Sequence, residues 1–139
     1  MPEYAREYLQ EINRPYNYED ILRIAKGQLK AEDLAARTGK LLFCDTDLLV
    51  TSIWCQVKYG KCHEWINRKL KKHKYQIYLL CDIDLPWEYD PLREHPEMRQ
   101  ELFELYLKVL KENGFNYKII NGTNKARLEN AIEFVNKLL

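Results

Sequence analysis

Residues 43–51 read FCDTDLLVT and directly follow KLL (40–42), whose two leucines are apolar. A continuous apolar run of strand length thus ends on two carboxylates, Asp45 and Asp47, one residue apart. Buried charge is costly unless it is paired or binds a cation. A strand that surfaces at its carboxyl end into two acids therefore marks either a helix start or a site. In a nucleotide-binding α/β fold a carboxylate at that point holds magnesium directly or through water, and a neighbouring one can accept a proton from an attacking hydroxyl. Asp45 and Asp47 fit that pair in position. Asp47 fits equally well as the N-cap of a helix that starts at Leu48.

Outward from this stretch, residues 48–59 read as a helix with Leu49, Ile53 and Val57 at i, i+4 and i+8, broken by Gly60. A second short helix follows over 62–72. Upstream, Asn17 and Asp20 stand in a capping arrangement that opens a helix over 18–37, with Ile21, Leu22, Ala25, Leu29 and Leu34 inward and Gly39 as its stop. Downstream, YQIYLLC (75–81) is apolar on both faces, as buried parallel strands are. A helix over 98–112 with Leu102, Tyr106, Val109 and Leu110 inward leads to a short strand at 116–120. Thr123 then caps a last helix with Leu128, Ala131, Ile132, Val135 and Leu138 inward. Strands separated by helical segments imply βαβ units and a parallel sheet in a single domain. In such sheets ligands sit beyond the carboxyl ends of the strands, and both acid pairs, Asp45/Asp47 and Asp82/Asp84, fall there.

Composition narrows the partners. The 139 residues carry 22 basic and 21 acidic side chains, a net charge of +1, so nothing global points to nucleic acid or to an anionic membrane. The basic cluster NRKLKKHK (67–74) reads as a solvated helix end, where the dipole favours cations. The start MPEYAREYL has charges where a signal peptide is apolar, and no apolar run approaches the roughly 20 residues of a membrane span. Cys44, Cys55, Cys62 and Cys81 form no CxxC pair; free thiols in a reducing cytosol are expected, with Cys62-His63 unsupported as a metal or nucleophile pair.

The excursion DIDLPWEYDPLREHPEMR (82–99) carries three prolines and two arginines, Arg93 and Arg99. Two arginines on such a segment can close over transferring phosphates; surface pairing with Glu94 and Glu97 is the plainer reading. Trp87, three positions after Asp84 and directly after Pro86, suits stacking on a flat cationic ring or ordinary core packing.

The strings PEYAREYL, IAKGQ, FCDTDLLVTSIWCQVKYG, YLLCDIDLPWEYDPLREHPEMR and YKIINGTNKARLENA, in order over nearly the whole chain, resemble the ribosylnicotinamide kinase domain of the bifunctional bacterial NAD-biosynthesis regulators. The resemblance implies a P-loop-kinase-like α/β fold, a three-layer parallel sheet with helices on both faces. It also implies a cytoplasmic enzyme that transfers the ATP γ-phosphate to the 5′-hydroxyl of nicotinamide riboside or a related nucleoside. Carried over position by position, Asp45 becomes the magnesium-side acid and Asp47 a substrate or base residue. Arg93 and Arg99 become arginines of a mobile lid over 84–99, and Asp84 and Trp87 border the riboside. Glu3 and Arg6 face the acceptor, while Asn121, Gly122 and Arg127 lie near the adenine.

One part of that family pattern is not found. The glycines stand at 27, 39, 60, 114 and 122, and Gly39-Lys40 has no glycine five positions before it and is followed by Leu41. No G-x-x-x-x-G-K-[ST] loop can be built from them, so the backbone N–H cradle and the phosphate lysine are missing. The expectation is a truncated domain without its first, central strand. Such a chain holds neither ATP nor Mg2+ tightly by itself, and its exposed strand edges invite self-association. A non-catalytic nucleotide-fold binding module is the alternative.

Overall fold

The computed structural model describes residues 1–73, 75–91 and 94–139. The chain divides into two units, Met1–His73 and Lys74–Leu139, each taken by itself below.

The first unit is helical: α1 (Tyr4–Ile12), α2 (Tyr18–Ala35), α3 (Leu48–Tyr59) and α4 (Glu64–Lys72). Its long element, α2, starts at a complete capping box. The Asn17 side chain accepts from the Asp20 N–H at 3.1 Å, and the Asp20 carboxylate accepts from the Asn17 N–H at 2.9 Å. Asp20 is wholly enclosed yet charged. Arg14 grips it with two hydrogen bonds, at 2.7 and 2.9 Å, while Arg23 and the Tyr8 hydroxyl add bonds at 2.9 and 2.8 Å. These partners, Arg14 foremost, hold its carboxyl well below the usual carboxylate range. Ile21, Ile24, Ala25 and Leu29 of α2 meet Leu48, Leu49 and Ile53 of α3, Ile66 and Leu70 of α4 and Ala5 of α1 in one buried core. Each large side chain there contributes about 2 kcal/mol.

Close approach of α1 to α2 depends on Gly27. A Cβ at that position would lie 2.2 Å from the Tyr4 ring. A second glycine, Gly60, ends α3 in the left-handed conformation with φ 66°.

The second unit holds β1 (Tyr78–Cys81), a 3-10 turn (Pro96–Met98), α5 (Arg99–Glu112), β2 (Tyr117–Ile120) and α6 (Asn124–Asn136). Strands β1 and β2 pair in parallel, Tyr78 opposite Tyr117 and Cys81 opposite Ile120, and β2 packs against α6. Among the described residues no helix is long and apolar enough to cross a membrane.

Four features differ from the sequence reading. Residues 41–44 form no strand of the sheet; their stretch is bonded instead to Met1, whose amino group donates to the Phe43 carbonyl at 2.6 Å and whose carbonyl accepts from the Asp45 N–H at 3.0 Å. A single residue makes a bridge there, too short for a ladder, and Phe43 stays 56% exposed. Helix α1, with Glu3 at its N-cap, is an element the sequence reading did not include. Leu34 is exposed because α2 has run past its neighbours by that point, one residue before its end at Ala35. Leu128, Ile132 and Leu138 are exposed as well, since β2 covers only a narrow stripe of α6.

Candidate functional site

The acid loop of the first unit is organised by a residue of α2. Gln28 is buried, and its side-chain amide is used at both ends. Its Oε1 accepts the Tyr4 N–H at 3.1 Å, and its Nε2 donates to the Thr46 carbonyl at 3.1 Å and to Glu32 Oε1 at 2.8 Å. One amide therefore joins the start of α1, the middle of α2 and the turn between the two acids. That turn is strained: Thr46 sits at φ 70°, a region that side chains other than glycine rarely occupy. The two carboxylates on either side of it differ in surroundings. Asp45 is exposed, whereas Asp47 is buried at 7% exposure.

Asp47 is the N-cap of α3, its Oδ1 accepting the Val50 N–H at 3.1 Å. Its other oxygen, Oδ2, is buried without a hydrogen-bond partner. Burial above all, with the Glu32 charge adding to it, pushes the Asp47 carboxyl up to about 6, against the pull of the Val50 and Leu49 N–H groups and of His73. Glu32 is itself buried and lies 3.4 Å from His73, whose imidazole is raised by its bond to that carboxylate. Glu3 and Arg6 form an i,i+3 ion pair at 3.4 Å on α1.

In the second unit the loop after β1 is tied down at several points. Arg99 Nη2 donates to the carbonyls of Ile83 and Leu85 at 3.0 and 2.6 Å. Asp84 accepts the Gly122 N–H at 2.6 Å and Arg127 Nη1 at 2.5 Å, and these two partners, the N–H first, lower its carboxyl. Arg127 also donates to the carbonyls of Gly122 and Asp82, at 3.0 and 2.9 Å. Asp84 and Arg127, assigned to different ligands by the resemblance, thus neutralise one another. Trp87 is 40% exposed and stands edge-on to Tyr89 at 6.2 Å. Asn121 is exposed beside Gly122. Arg93 lies outside the described residues.

Sequence reasoning singled out the two acids but not Gln28, Glu32 or His73. The string IAKGQ held the signal for Gln28, because a helical Gly-Gln pair can admit a ring at one residue and an amide anchor at the next. Glu32 and His73 left no such trace.

Two fit tests bear on the implied ligands. Magnesium takes one or two carboxylates together with waters and phosphate oxygens. Among the described residues no three His, Cys, Asp or Glu side chains cluster as a metal cage, but exposed Asp45 and the orphaned Asp47 oxygen are donors of the right kind. A phosphate cradle is another matter. Gly27 is inside α2, Gly39 donates to Ala35 just beyond it, Gly60 and Gly114 take positive φ where α3 and α5 end, and Gly122 serves Asp84. All five glycines have structural duties, and none builds a loop of N–H groups around an anion.

A family model described as an AAA domain matches residues 1–127. The chain belongs to this AAA domain family. It is 25% identical over 147 residues to the trifunctional NAD biosynthesis/regulator protein NadR of Escherichia coli strain K12, covering 99% of this chain and 35% of that protein. Identity to the protein of the same name from Salmonella typhimurium strain LT2 is 25% over 145 residues, with the same 99% and 35% coverage. The chain thus spans about a third of the length of the curated relatives it matches. With the parallel pairing of β1 and β2, AAA domain membership makes this an α/β fold of the P-loop-kinase kind, with strands of that fold lacking among the described residues.

Proposed function

We propose that this AAA domain chain carries the acceptor-side residues of an ATP-dependent nucleoside kinase, and that the nucleoside is nicotinamide riboside, converted to its mononucleotide in NAD salvage. The observation that carries the reading is the acid loop: two carboxylates in different environments, on a turn fixed by a buried amide, one of them with an unpartnered oxygen. When bound, ATP with magnesium supplies the γ-phosphoryl group and neutralises its oxygens. Asp45, at the exposed side of the loop, is the oxygen donor for the metal. Asp47 Oδ2 accepts the proton of the nucleoside 5′-hydroxyl, and a carboxyl raised to about 6 suits a base working near neutrality. Because Oδ2 is covered, the hydroxyl reaches it only as the turn at Thr46 opens, so acceptor binding and loop opening are one event.

The aromatic residues support the substrate class. Trp87, half-exposed beside Tyr89, offers a π face to a flat cationic ring such as the pyridinium of nicotinamide riboside. Arg99 braces this loop through the Ile83 and Leu85 carbonyls, and the resemblance assigns Arg93, outside the described residues, to the phosphates as a second lid arginine. The resemblance assigns Glu3 and Arg6 to the acceptor, and Asn121, Gly122 and Arg127 to the adenine. The structural duties of the five glycines favour a second reading of the chain taken alone, a binding module that does not turn over ATP.

Calorimetric titration tests both readings. Nicotinamide riboside is expected to bind and uncharged uridine to bind more weakly, with Trp87→Ala weakening the riboside by about fivefold, the worth of about 1 kcal/mol of cation–π attraction. No riboside binding, or binding indifferent to Trp87, refutes the substrate assignment. Mg-ATP is expected to bind weakly, and micromolar affinity refutes the account of the glycines.

A further inference from the structure

Of the nine asparagines, only Asn113 and Asn121 precede a glycine, Gly114 and Gly122. The order matters chemically. The main-chain nitrogen of the following residue can close a ring on an asparagine side chain, and glycine has no Cβ to obstruct the approach. The fold treats the two pairs differently. Asn113 ends α5 in helical conformation; its Nδ2 donates to the Val109 carbonyl at 2.8 Å, and the Gly114 N–H donates to the Lys111 carbonyl at 3.1 Å. Both reacting groups are tied into that last turn. Asn121 is exposed just past β2, and among the described residues its side-chain amide has no hydrogen-bond partner. Only the nucleophile is restrained there. The Gly122 N–H donates to Asp84 Oδ2 at 2.6 Å, and Arg127 Nη1 donates to the Gly122 carbonyl at 3.0 Å and to Asp84 Oδ1 at 2.5 Å.

We propose that Asn121-Gly122 is a spontaneous modification site, converted to aspartate and isoaspartate at a rate governed by the clamp of Asp84 and Arg127 on Gly122. In the first step the Gly122 nitrogen attacks Cγ of Asn121 and gives its proton to water. The new C–N bond closes a succinimide, and the side-chain amide nitrogen leaves as ammonia. Water then opens the ring, at the side-chain carbonyl to leave aspartate at position 121 and at the main-chain carbonyl to leave isoaspartate. One water is consumed and one ammonia released, with no change of oxidation state. The clamp opposes the first step. A hydrogen bond to a carboxylate stabilises the intact N–H, so the nitrogen attacks only after it lets go of Asp84. Ring closure in turn unmakes the clamp. A succinimide nitrogen has no hydrogen to offer Asp84, and an isoaspartate backbone is longer by one carbon. The conversion thereby releases the loop after β1 that Asp84 fastens to Gly122. None of this depends on the nucleoside reading.

The test is peptide mapping by mass spectrometry, with released ammonia measured in parallel, on the chain incubated at neutral pH both folded and in urea. In urea the two Asn-Gly pairs are expected to convert at similar rates. In the folded chain Asn113 is expected to remain an amide, and Asn121 to convert about tenfold more slowly than in urea, the worth of one hydrogen bond to a charged group. Asp84→Ala is expected to remove that protection, and Asn121→Ser to stop ammonia release from the folded chain. Amide hydrogen exchange over 83–85 is expected to be faster in the converted chain than in the unconverted one. Conversion of Asn113 ahead of Asn121 in the folded chain overturns the proposal. So does a folded chain in which Asn121 stays an amide throughout or converts as fast as in urea, or a folded Asp84→Ala chain that converts no faster than the native one.

Discussion

Replacing Asp47 by Asn removes one charge and little else, and its effect can be worked out in advance. Asn retains a carbonyl to cap the Val50 N–H, so the start of α3 is kept. What disappears is the burden of ionising a carboxyl whose second oxygen is buried without a partner. Its folded value of about 6 lies above the 3.8 of an unperturbed aspartate. A raised carboxyl binds its proton more tightly when folded, so its contribution to stability is whole below pH 3.8 and is lost as pH rises through 6. The gap of about two pH units, at 1.36 kcal/mol each, makes about 3 kcal/mol. Asp47→Asn is therefore expected to match the native chain near pH 4 and to exceed it by up to about 3 kcal/mol at pH 7 and above. His73 acts in the same direction in both proteins, since its raised imidazole stabilises below its ordinary 6.5 and loses that contribution as pH rises through its folded value. Asp20, depressed by its arginines, matters only on the acid side of its unfolded value. Urea unfolding of the two proteins at half-unit steps from pH 4 to 8 is the assay. A stability difference that does not change with pH, or a variant weaker than native at pH 7, would show that Asp47 is not held as a strained charge.

Three further outcomes follow from the same unit and its neighbour. Gln28→Leu leaves the Tyr4 N–H, the Thr46 carbonyl and Glu32 short of a buried partner and is expected to lower urea-unfolding stability by about 2–4 kcal/mol; a loss under 1 kcal/mol would refute its role as anchor. Gly27→Ala is expected to destabilise the native chain by crowding the Tyr4 ring, yet to stabilise a Tyr4→Ala background by up to about 1 kcal/mol, the helix preference of alanine; additive effects would mean the ring is not held there. Arg99→Ala is expected to speed amide hydrogen exchange over 83–85 and to leave β1 unchanged, and unchanged exchange in the loop would show that the two carbonyl bonds do not restrain it.

How far the sequence could be read depended on whether the deciding contact was local. The limits of α3 and the capping box at Asn17 and Asp20 were legible because helix periodicity, a cap and Gly60 all act within a few residues. The two strands of the second unit were legible from their apolar runs. Residues 41–44 misled because an apolar run carries no information about its backbone partner, which here is Met1. At the acid loop the cap reading of Asp47 holds through one oxygen, and the other oxygen is left without a partner. The Gln28 anchor escaped notice because its three partners lie at residues 4, 32 and 46, and only the folded chain collects them.

The pairing of β1 with β2 also fixes an order of assembly. Tyr78 meets Tyr117 across a crossover of thirty-nine positions, and each strand has only four residues to repay the closing of that loop. No turn-sized contact can start such a ladder, so α5 must form and dock before the first inter-strand bond lasts. In the first unit Tyr8, Arg14 and Arg23 reach Asp20 within a dozen residues and can gather early. During refolding the amides of α2 should therefore become protected well ahead of those of β1 and β2, and the late ladder, with its edges open meanwhile, is the stage at which chains would meet and aggregate.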